Sequence, residues 1–311
     1  MRILILGAGA MGGYFGGRLV EAGQDVTFLV RDGRKAALDK NGLVINSPAC
    51  GDFQAPVNAI TAKDLAGQAP FDIVVLACKA YDLDASIEAI ASAVGPKTAV
   101  LPFLNGLAHM EVLNKRFGAE RVLGGVVRIS ATLGADGTIN HHNDWRFITV
   151  GEQTGEMSDR VTSFVAAFGK TAVVAAAVPH IMQEMWDKVV QLCTIATMTC
   201  LMRATVREII LAGGADMMVE TLEESAAIAE KVGRRPSAAF LERARKVLTD
   251  VNNGVSASML YDIERGGPIE SDHILGYMLN VAKQYGVRAH ILEVAHLHLK
   301  SYEQRRAADR L

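Results

Sequence analysis

The sequence predicts a two-domain α/β protein, in which a parallel sheet covered by helices on both faces is followed by an all-helical domain. Short β-branched runs alternate with helical patterns through the first half of the 311 residues, and this alternation is typical of a parallel sheet. The β-strand patterns end near Val178-Pro179, and the segments that follow have helical periodicity. We therefore expect one domain over residues 1–178 and a second over 179–311, with ligands bound in a cleft between them.

The individual elements follow from apolar periodicity and from turn residues. Strands are expected at residues 2–6, 25–30, 43–46, 73–77, 99–102, 122–128, 147–150 and 171–176. Helices of the first domain are expected at 12–22, near 33, at 83–94 and at 110–117. Those of the second are expected at 180–202, 205–232 with a bend near Gly213-Gly214, 237–252, 269–285 and 289–306.

Composition and charge argue against several classes of function. A formal net charge of -2 gives no electrostatic reason to expect nucleic acid or an anionic membrane as a partner. The apolar run over 189–202 is shorter than the roughly 20 residues that span a bilayer. The N-terminal apolar run is explained better by its spaced glycines than by a signal peptide. We expect a cytoplasmic protein with a small-molecule partner, and the sequence leaves open whether it forms a homodimer.

Neither the cysteines nor the histidines form a recognisable metal-binding pattern. The cysteines are Cys50, Cys78, Cys193 and Cys200. Cys193 and Cys200 share one predicted helix at a spacing of roughly 10 Å, which is too long for a disulfide, so we expect buried thiols. His141-His142 is expected in a polar turn, and His296 and His298 are expected on different helix faces. The sequence therefore predicts no metal site.

A G-x-G-x-x-G motif lies between the first predicted strand and the first predicted helix. Its residues are Gly7, Ala8, Gly9, Ala10, Met11 and Gly12. In a Rossmann-type site, Gly7 would permit the tight turn and Gly9 would let the backbone approach a pyrophosphate. Gly12 would let helix and strand pack closely. The helix N-terminus adds amide donors and a positive dipole end. This context predicts a dinucleotide-binding site.

The end of the second predicted strand distinguishes between NADP and NAD. NAD sites carry an acidic residue there that accepts hydrogen bonds from the ribose hydroxyls. This chain has Arg31, followed closely by Arg34 and Lys35, and a guanidinium pairs bidentately with a 2′-phosphate. Asp32 leaves NAD open, because a shift of one residue would place its carboxylate at the ribose. Its other expected role is to cap the helix that begins near Gly33. The sequence favours NADPH.

Further motifs, in their order and spacing, resemble the ketopantoate reductase (2-dehydropantoate 2-reductase) family over essentially the whole chain. They are GAGAMGGYFGGRL, Arg31, Cys78-Lys79-Ala80-Tyr81-Asp82, Leu104-Asn105-Gly106-Leu107, Trp186-Asp187-Lys188, and Ser258-Met259 followed by Glu270. The resemblance implies an NADP-dependent oxidoreductase of the CH-OH donor class. Its reaction would be the reduction of 2-dehydropantoate to pantoate, in pantothenate and coenzyme A biosynthesis.

The resemblance also implies roles for individual residues. Lys188 corresponds to the family's catalytic general acid, and Glu270 to the glutamate that holds the substrate's hydroxyl and carbonyl region. Ser258 corresponds to the serine that bonds the substrate carboxylate. Asn105 and Lys79 follow predicted strands, where ligands bind in open α/β sheets, and both are expected to contact the cofactor, Asn105 also the substrate. Hydride addition builds negative charge on a carbonyl oxygen, so a cationic acid suits this reaction independently of the resemblance.

Three positions depart from the family pattern. Leu192, Ala196 and Val255 stand where the family carries asparagines. Leu192 shares a helix face with Lys188 and offers no hydrogen bond. The loss of two polar contacts, at Leu192 and Val255, should weaken recognition of a hydroxyl-rich substrate by a few kcal/mol unless another group compensates. The polar residues that could compensate are Gln191, Thr194, Asn252 and Asn253. A different 2-oxo acid therefore stays open as the substrate.

Two other functions share this domain plan. NAD-linked 3-hydroxyacid or glycerol-phosphate dehydrogenases combine a Rossmann domain with helices, but Arg31 and the spacing of Lys188 and Glu270 argue against them. A non-catalytic NADP-binding protein is the second alternative. Lys188 and Glu270 argue against it, whereas Leu192 and Ala196 keep it open.

Overall fold

A computed structural model describes all 311 residues and divides into two compact units. Unit 1 comprises Met1–Leu104 and His109–Met182, and unit 2 comprises Asn105–Ala108 and Gln183–Leu311. Unit 1 is a Rossmann-type α/β domain and unit 2 is helical, so the predicted fold class is confirmed. The sequence placed no boundary near Asn105, yet Asn105–Ala108 is grouped with unit 2.

The strands and helices have the following bounds. The strands are β1 Arg2–Leu6, β2 Asp25–Leu29, β3 Leu43–Asn46, β4 Phe53–Ala55, β5 Asn58–Ile60, β6 Ile73–Leu76, β7 Ala99–Pro102, β8 Leu123–Leu133, β9 Ile139–Glu152 and β10 Val174–Ala177. The helices of unit 1 are α1 Ala10–Glu21, α2 Asp32–Asn41, α3 Ala62–Leu65, α4 Leu83–Ile90, α5 Ala108–Phe117 and α6 Asp159–Ala166. Those that follow are α7 Ile181–Met202, α8 Val206–Leu211, α9 Ala215–Lys231, α10 Ala238–Leu248, α11 Ser258–Glu264, α12 Tyr277–Gln284 and α13 His290–Ala307.

The first sheet is parallel and has the strand order β5-β2-β1-β6-β7. β1 lies at its centre, with Leu4 opposite Thr27 of β2 on one side and Val74 of β6 on the other. β6 and β7 are buried along their whole length, as expected for strands covered by helices on both faces. The carboxyl ends of β2 and β6 therefore lie on either side of the turn that follows β1.

The expectation of a single parallel sheet was wrong for the rest of unit 1. A second sheet has the order β10-β9-β3-β4, and β8 pairs with β9 in an antiparallel hairpin. The predicted strands at 122–128 and 147–150 are parts of this longer hairpin, and β4 and β5 were missed. Polar residues along β9 hide its alternation, since one face of the hairpin is exposed.

The histidine pair is part of this second sheet and does not lie in a polar turn, as the sequence suggested. His141 is buried in β9, where its Nδ1 lies 2.8 Å from Oγ of Ser47 and its Nε2 lies 2.8 Å from the carbonyl oxygen of Trp145. Its ring also contacts that of Tyr14, at 4.7 Å between centroids. His141 is therefore a hydrogen-bonded core residue.

Unit 2 differs from the predicted helices in three places. The segment predicted as one bent helix is two helices, α8 and α9, because Gly213 adopts a φ of +90° between them. α11 was not predicted. The helix expected from residue 269 contains a π-helical stretch, Asp272–Gly276, immediately before α12. Ser237 caps α10 by accepting a hydrogen bond from the N–H of Phe240 at 3.2 Å.

α7 is the long helix that carries the predicted catalytic lysine. It places Cys193 and Cys200 in the protein interior, where burial raises the pKa of each thiol to about 12, as expected for buried structural cysteines. No helix in the structure has the length and apolar character needed to cross a bilayer.

Candidate active site

The glycine turn after β1 has the geometry that a dinucleotide requires. Gly7 adopts a φ of +96° and donates its N–H to the carbonyl oxygen of Leu29 at 3.0 Å. A Cβ on Gly12 would collide with the Gly7 carbonyl oxygen and with Ala77, so only glycine allows α1 to begin this close to the sheet. A Cβ on Gly9 would meet no protein atom within 4 Å. Gly9, the N-cap of α1, therefore leaves room for a phosphate at the helix N-terminus.

Arg34 has a role that the sequence did not reveal. Its Nε and Nη2 donate to the carbonyl oxygen of Ala8 at 3.0 and 2.8 Å, and its Nη1 donates to that of Gly137 at 3.1 Å. The side chain thereby ties the glycine turn to the β8–β9 hairpin. Lys35 forms an ion pair with Asp39 at 2.7 Å. Of the three basic residues after β2, Arg34 and Lys35 are therefore both engaged with other groups of the protein.

Arg31 is the N-cap residue of α2, and 87% of its side chain is exposed at the carboxyl end of β2. Its Nη2 lies 3.4 Å from Oδ2 of Asp82, which follows β6 on the other side of β1. Asp32 is the first residue of α2 and not its cap, which corrects the expected capping role. Lys79 also follows β6 and is the N-cap residue of the 3₁₀ turn Ala80–Asp82.

The predicted catalytic lysine has a defined partner within unit 2. Nζ of Lys188, in the second turn of α7, donates a hydrogen bond to Oδ1 of Asn105 at 3.0 Å. Both side chains are partly buried. An ammonium has three N–H donors, and Asn105 takes one of them. The sequence singled out both residues, but it gave no indication that they contact each other.

The turn that carries Asn105 also packs against the segment that carries Glu270. Gly106 adopts a φ of +82°, and a Cβ there would collide with the carbonyl oxygen of His273. The N–H of His273 in turn donates to the carbonyl oxygen of Glu270 at 3.2 Å. Glu270 is 5% exposed. Lys188, Asn105 and Glu270 therefore belong to one neighbourhood, joined by a hydrogen bond and a close backbone contact.

Trp186 explains how α7 is held against this neighbourhood. Its ring is 6% exposed and packs against that of Tyr277, with 6.1 Å between centroids. Tyr277 begins α12, directly after the π-helical stretch that follows Glu270. The aromatic contact fixes the rotation of α7 two residues before Lys188. Trp186 thus has a packing role that accounts for its place in the motif.

Ser258 lies at the exposed start of α11, towards the far end of α7. The preceding residue, Ala257, donates its N–H to Oγ1 of Thr199 at 3.2 Å. Thr199 is three helical turns beyond Lys188, about 16 Å along the axis. The structure therefore joins Lys188 to Asn105, packs the turn of Asn105 against the segment that carries Glu270, and places Ser258 further along α7.

The polar residues that could replace the absent asparagines are mostly engaged elsewhere. Thr194 is buried and donates to the carbonyl oxygen of Val190 at 2.9 Å. Asn253 holds its own loop through Val247 and Val255. Asn252 bonds with Asp250 in an exposed turn. Gln191 is the one among the four with no such local bond, and it lies one helical turn after Lys188.

The glycine turn of unit 1, together with Lys188, Asn105 and Glu270 of unit 2, is typical of a two-domain oxidoreductase. Two family descriptions match the chain: Ketopantoate reductase PanE/ApbA over residues 3–155, and Ketopantoate reductase PanE/ApbA C terminal over residues 180–303. The chain belongs to the ketopantoate reductase family.

Its relatives cover nearly the whole length. The chain is 34% identical to an uncharacterized oxidoreductase of Bacillus subtilis, YkpB, over 97% of this chain and 99% of that one. It is 31% identical to the 2-dehydropantoate 2-reductase of Mesorhizobium japonicum, over 88% and 89% of the two chains. The crystal structure of the 2-dehydropantoate 2-reductase from Geobacter metallireducens has a TM-score of 0.88 at 27% identity, with 97% and 99% covered. These likenesses show the family, and leave the particular substrate to be argued from the site.

Proposed function

We propose that the protein catalyses the NADPH-dependent reduction of a 2-oxo acid to the 2-hydroxy acid, with 2-dehydropantoate (ketopantoate) as the first candidate. The observation that carries the proposal is the hydrogen bond from Lys188 to Asn105. It holds an ammonium in a partly buried place, bonded to the turn that packs against the segment of Glu270. A carbonyl oxygen that gains negative charge requires such a positioned acid.

The cofactor proposal rests on unit 1. The open position at Gly9 and the N-terminus of α1 suit a pyrophosphate. The exposed guanidinium of Arg31 suits a 2′-phosphate. When bound, NADPH supplies the hydride for the carbonyl carbon. The proposed reduction would need no metal ion, because the ammonium of Lys188 would stabilise the negative charge that develops on the carbonyl oxygen.

The residues of unit 2 supply the proton. As the carbon gains a hydride, the carbonyl π electrons move to the oxygen, which takes a proton from Nζ of Lys188. Lys188 then regains a proton from solvent. Asn105 accepts from Nζ, and this bond orients the remaining donors of the ammonium. Glu270 would accept a hydrogen bond from the substrate hydroxyl. Ser258, beside Thr199 and about 16 Å along α7 from Lys188, would lie too far away to meet a carboxylate that is bonded directly to the reacting carbonyl carbon.

A substrate panel with both cofactors tests the proposal. The purified protein should oxidise NADPH with ketopantoate, and should do so faster than with analogues that lack the hydroxymethyl group. Comparable rates across the panel would overturn ketopantoate while keeping the reductase. Binding of NADPH without turnover on any 2-oxo acid would overturn the enzyme proposal and favour a non-catalytic NADP-binding protein.

A more apolar 2-oxo acid is the second candidate, and a specific observation favours it. Leu192 lies one turn after Lys188 on the same face of α7 and is partly exposed, whereas Ala196 on that face is buried. Three of the four compensating polar residues are engaged in local bonds. Gln191 alone is placed to offer a hydrogen bond near the lysine. A higher kcat/KM for a branched or aromatic 2-oxo acid than for ketopantoate would support this candidate.

A further inference from the structure

The carboxyl ends of β2 and β6 meet above the glycine turn through a pair of opposite charges. The two strands are neighbours of β1 on opposite sides, so their ends are separated by two strand spacings, about 10 Å. Arg31 follows β2 and Asp82 lies in the turn after β6, and their side chains bridge this gap with 3.4 Å between Nη2 and Oδ2. A carboxylate therefore lies within reach of the group that would take the 2′-phosphate.

The side chain of Asp82 does not cap the helix that it precedes. It is the N-cap residue of α4, yet its side chain makes no capping hydrogen bond. An aspartate at an N-cap ordinarily accepts from the backbone N–H two or three residues later. Here the carboxylate is 41% exposed and points towards Arg31 instead.

Asp82 is the acidic residue whose side chain contacts the guanidinium of Arg31, and the other charged residues nearby have different partners or places. Arg34 is turned to the Ala8 carbonyl, and Lys35 is paired with Asp39. Asp32 lies in the first turn of α2, where a carboxylate suits the helix dipole. The contact between Arg31 and Asp82 is exposed, so it is weak and an incoming ligand can displace it.

NADPH and NADH would interact differently with the Arg31–Asp82 ion pair. A 2′-phosphate carries a charge of about -1.5 to -2 at neutral pH. It must compete with Asp82 for Arg31 and is repelled by the same carboxylate. A ribose 2′-hydroxyl carries no charge and can donate a hydrogen bond to a carboxylate, as it does in NAD sites.

We propose that Asp82 is a second determinant of cofactor choice, which opposes Arg31 by weakening NADPH binding relative to NADH. The inference rests on the proposed NADPH-binding function of unit 1. It assigns the preference to two residues from different strand ends. Their substitution should therefore move the affinity ratio in opposite directions.

The test is to measure the Kd of NADPH and of NADH by isothermal titration calorimetry in the absence of substrate. Asp82→Asn keeps the shape and removes the charge. It should tighten NADPH by about two- to fivefold, as expected for removal of one exposed charge contact, and leave NADH unchanged or weaker. Arg31→Ala should weaken NADPH at least as strongly and change NADH little.

Asp84→Asn is the matched control, because it removes an exposed carboxylate from the first turn of the same helix. It should change the ratio of the two Kd values by less than about twofold, since this exposed carboxylate forms no ion pair with Arg31 and is screened by solvent. An unchanged or lower preference for NADPH in Asp82→Asn would overturn the inference, as would an equal effect in Asp84→Asn. If the unmodified protein binds neither cofactor, the proposed function and this inference both fail. If it binds both and only the Asp82 effect is missing, the proposed function stands.

Discussion

Nζ of Lys188 lies 3.0 Å from Oδ1 of Asn105, although the two residues are 83 positions apart in the chain. The bond joins α7 to the short turn that the fold assigns to the helical unit. It orients the ammonium within unit 2, as the proposed proton transfer from Lys188 would require. The first prediction follows from this contact.

Lys188→Ala should lower kcat by about 100- to 10,000-fold, the range for loss of a general acid. The Kd of NADPH should stay within about twofold, because the cofactor-binding residues proposed for unit 1 are unchanged. Steady-state kinetics and titration of NADPH measure the two effects separately. Lys246→Ala is the control, since it removes an exposed lysine from α10. Normal turnover in Lys188→Ala would refute its role as the acid.

Alanine substitutions at two glycines of the same motif should have different effects, one on cofactor binding and the other on stability. Gly9→Ala should leave the unfolding midpoint unchanged, because its Cβ meets no protein atom, but it should weaken NADPH and NADH binding by occupying the phosphate position. Gly12→Ala should destabilise the protein, because its Cβ collides with the Gly7 carbonyl and with Ala77. Thermal unfolding with cofactor titration distinguishes the two. Equal loss of stability in both variants would contradict the assignment.

Arg34→Ala should weaken NADPH and NADH alike, by about tenfold. Its hydrogen bonds hold the Ala8 carbonyl and therefore the turn common to both cofactors, and they do not reach a 2′-phosphate. Loss of these bonds should also lower the free energy of unfolding by about 1–3 kcal/mol. Lys35→Ala, which removes only a surface ion pair, should change neither quantity much. A selective loss of NADPH in Arg34→Ala would place Arg34 at the phosphate instead.

His141 makes the stability of unit 1 depend on pH. Burial lowers the pKa of His141 below 6.5, and the positive charges of Arg18, Arg146 and His142 act in the same direction. The unfolded chain therefore binds a proton near pH 6.5 that the folded chain does not. The unfolded state binds more protons below this pH, so the free energy of unfolding should fall as the pH drops below 6.5.

His141→Gln should remove this component while reducing stability at pH 8 by about 1–3 kcal/mol, because the bonds to Ser47 and Trp145 are disturbed. Urea unfolding between pH 8 and pH 5.5 measures both effects. The control is His290→Gln, since this side chain is exposed and is not among the groups that act on His141. Parallel pH curves for the unmodified protein and His141→Gln would show that His141 does not titrate in this window.

Leu192→Asn should shift substrate preference towards ketopantoate. An amide one turn after Lys188 would offer the substrate hydroxyl a hydrogen bond, which is worth about 1–2 kcal/mol of discrimination, or roughly tenfold in the ratio of kcat/KM values for ketopantoate and an apolar 2-oxo acid. Leu211→Asn, on the exposed side of α8, is the control. An unchanged ratio would mean that Leu192 does not face the substrate.

Much of the fold could be predicted because its patterns are local. β1, β3 and β7 have the predicted bounds, since each is a short apolar run with clear flanking residues. The second sheet could not be predicted in the same way. β3 pairs with β9, almost a hundred residues later, and no local periodicity reports such a pairing. The buried position of His141 was missed for the same reason.

The sequence by itself determined the glycine turn, the basic residue after β2 and the lysine on α7, because each depends on residue types at short spacing. Only the tertiary structure decided what these side chains contact. It turned Arg34 to the Ala8 carbonyl, placed Asp82 beside Arg31 and gave Lys188 the side chain of Asn105 as its partner. The physical reason is that hydrogen-bond and ion-pair partners are selected by the packing of segments that are distant in the chain.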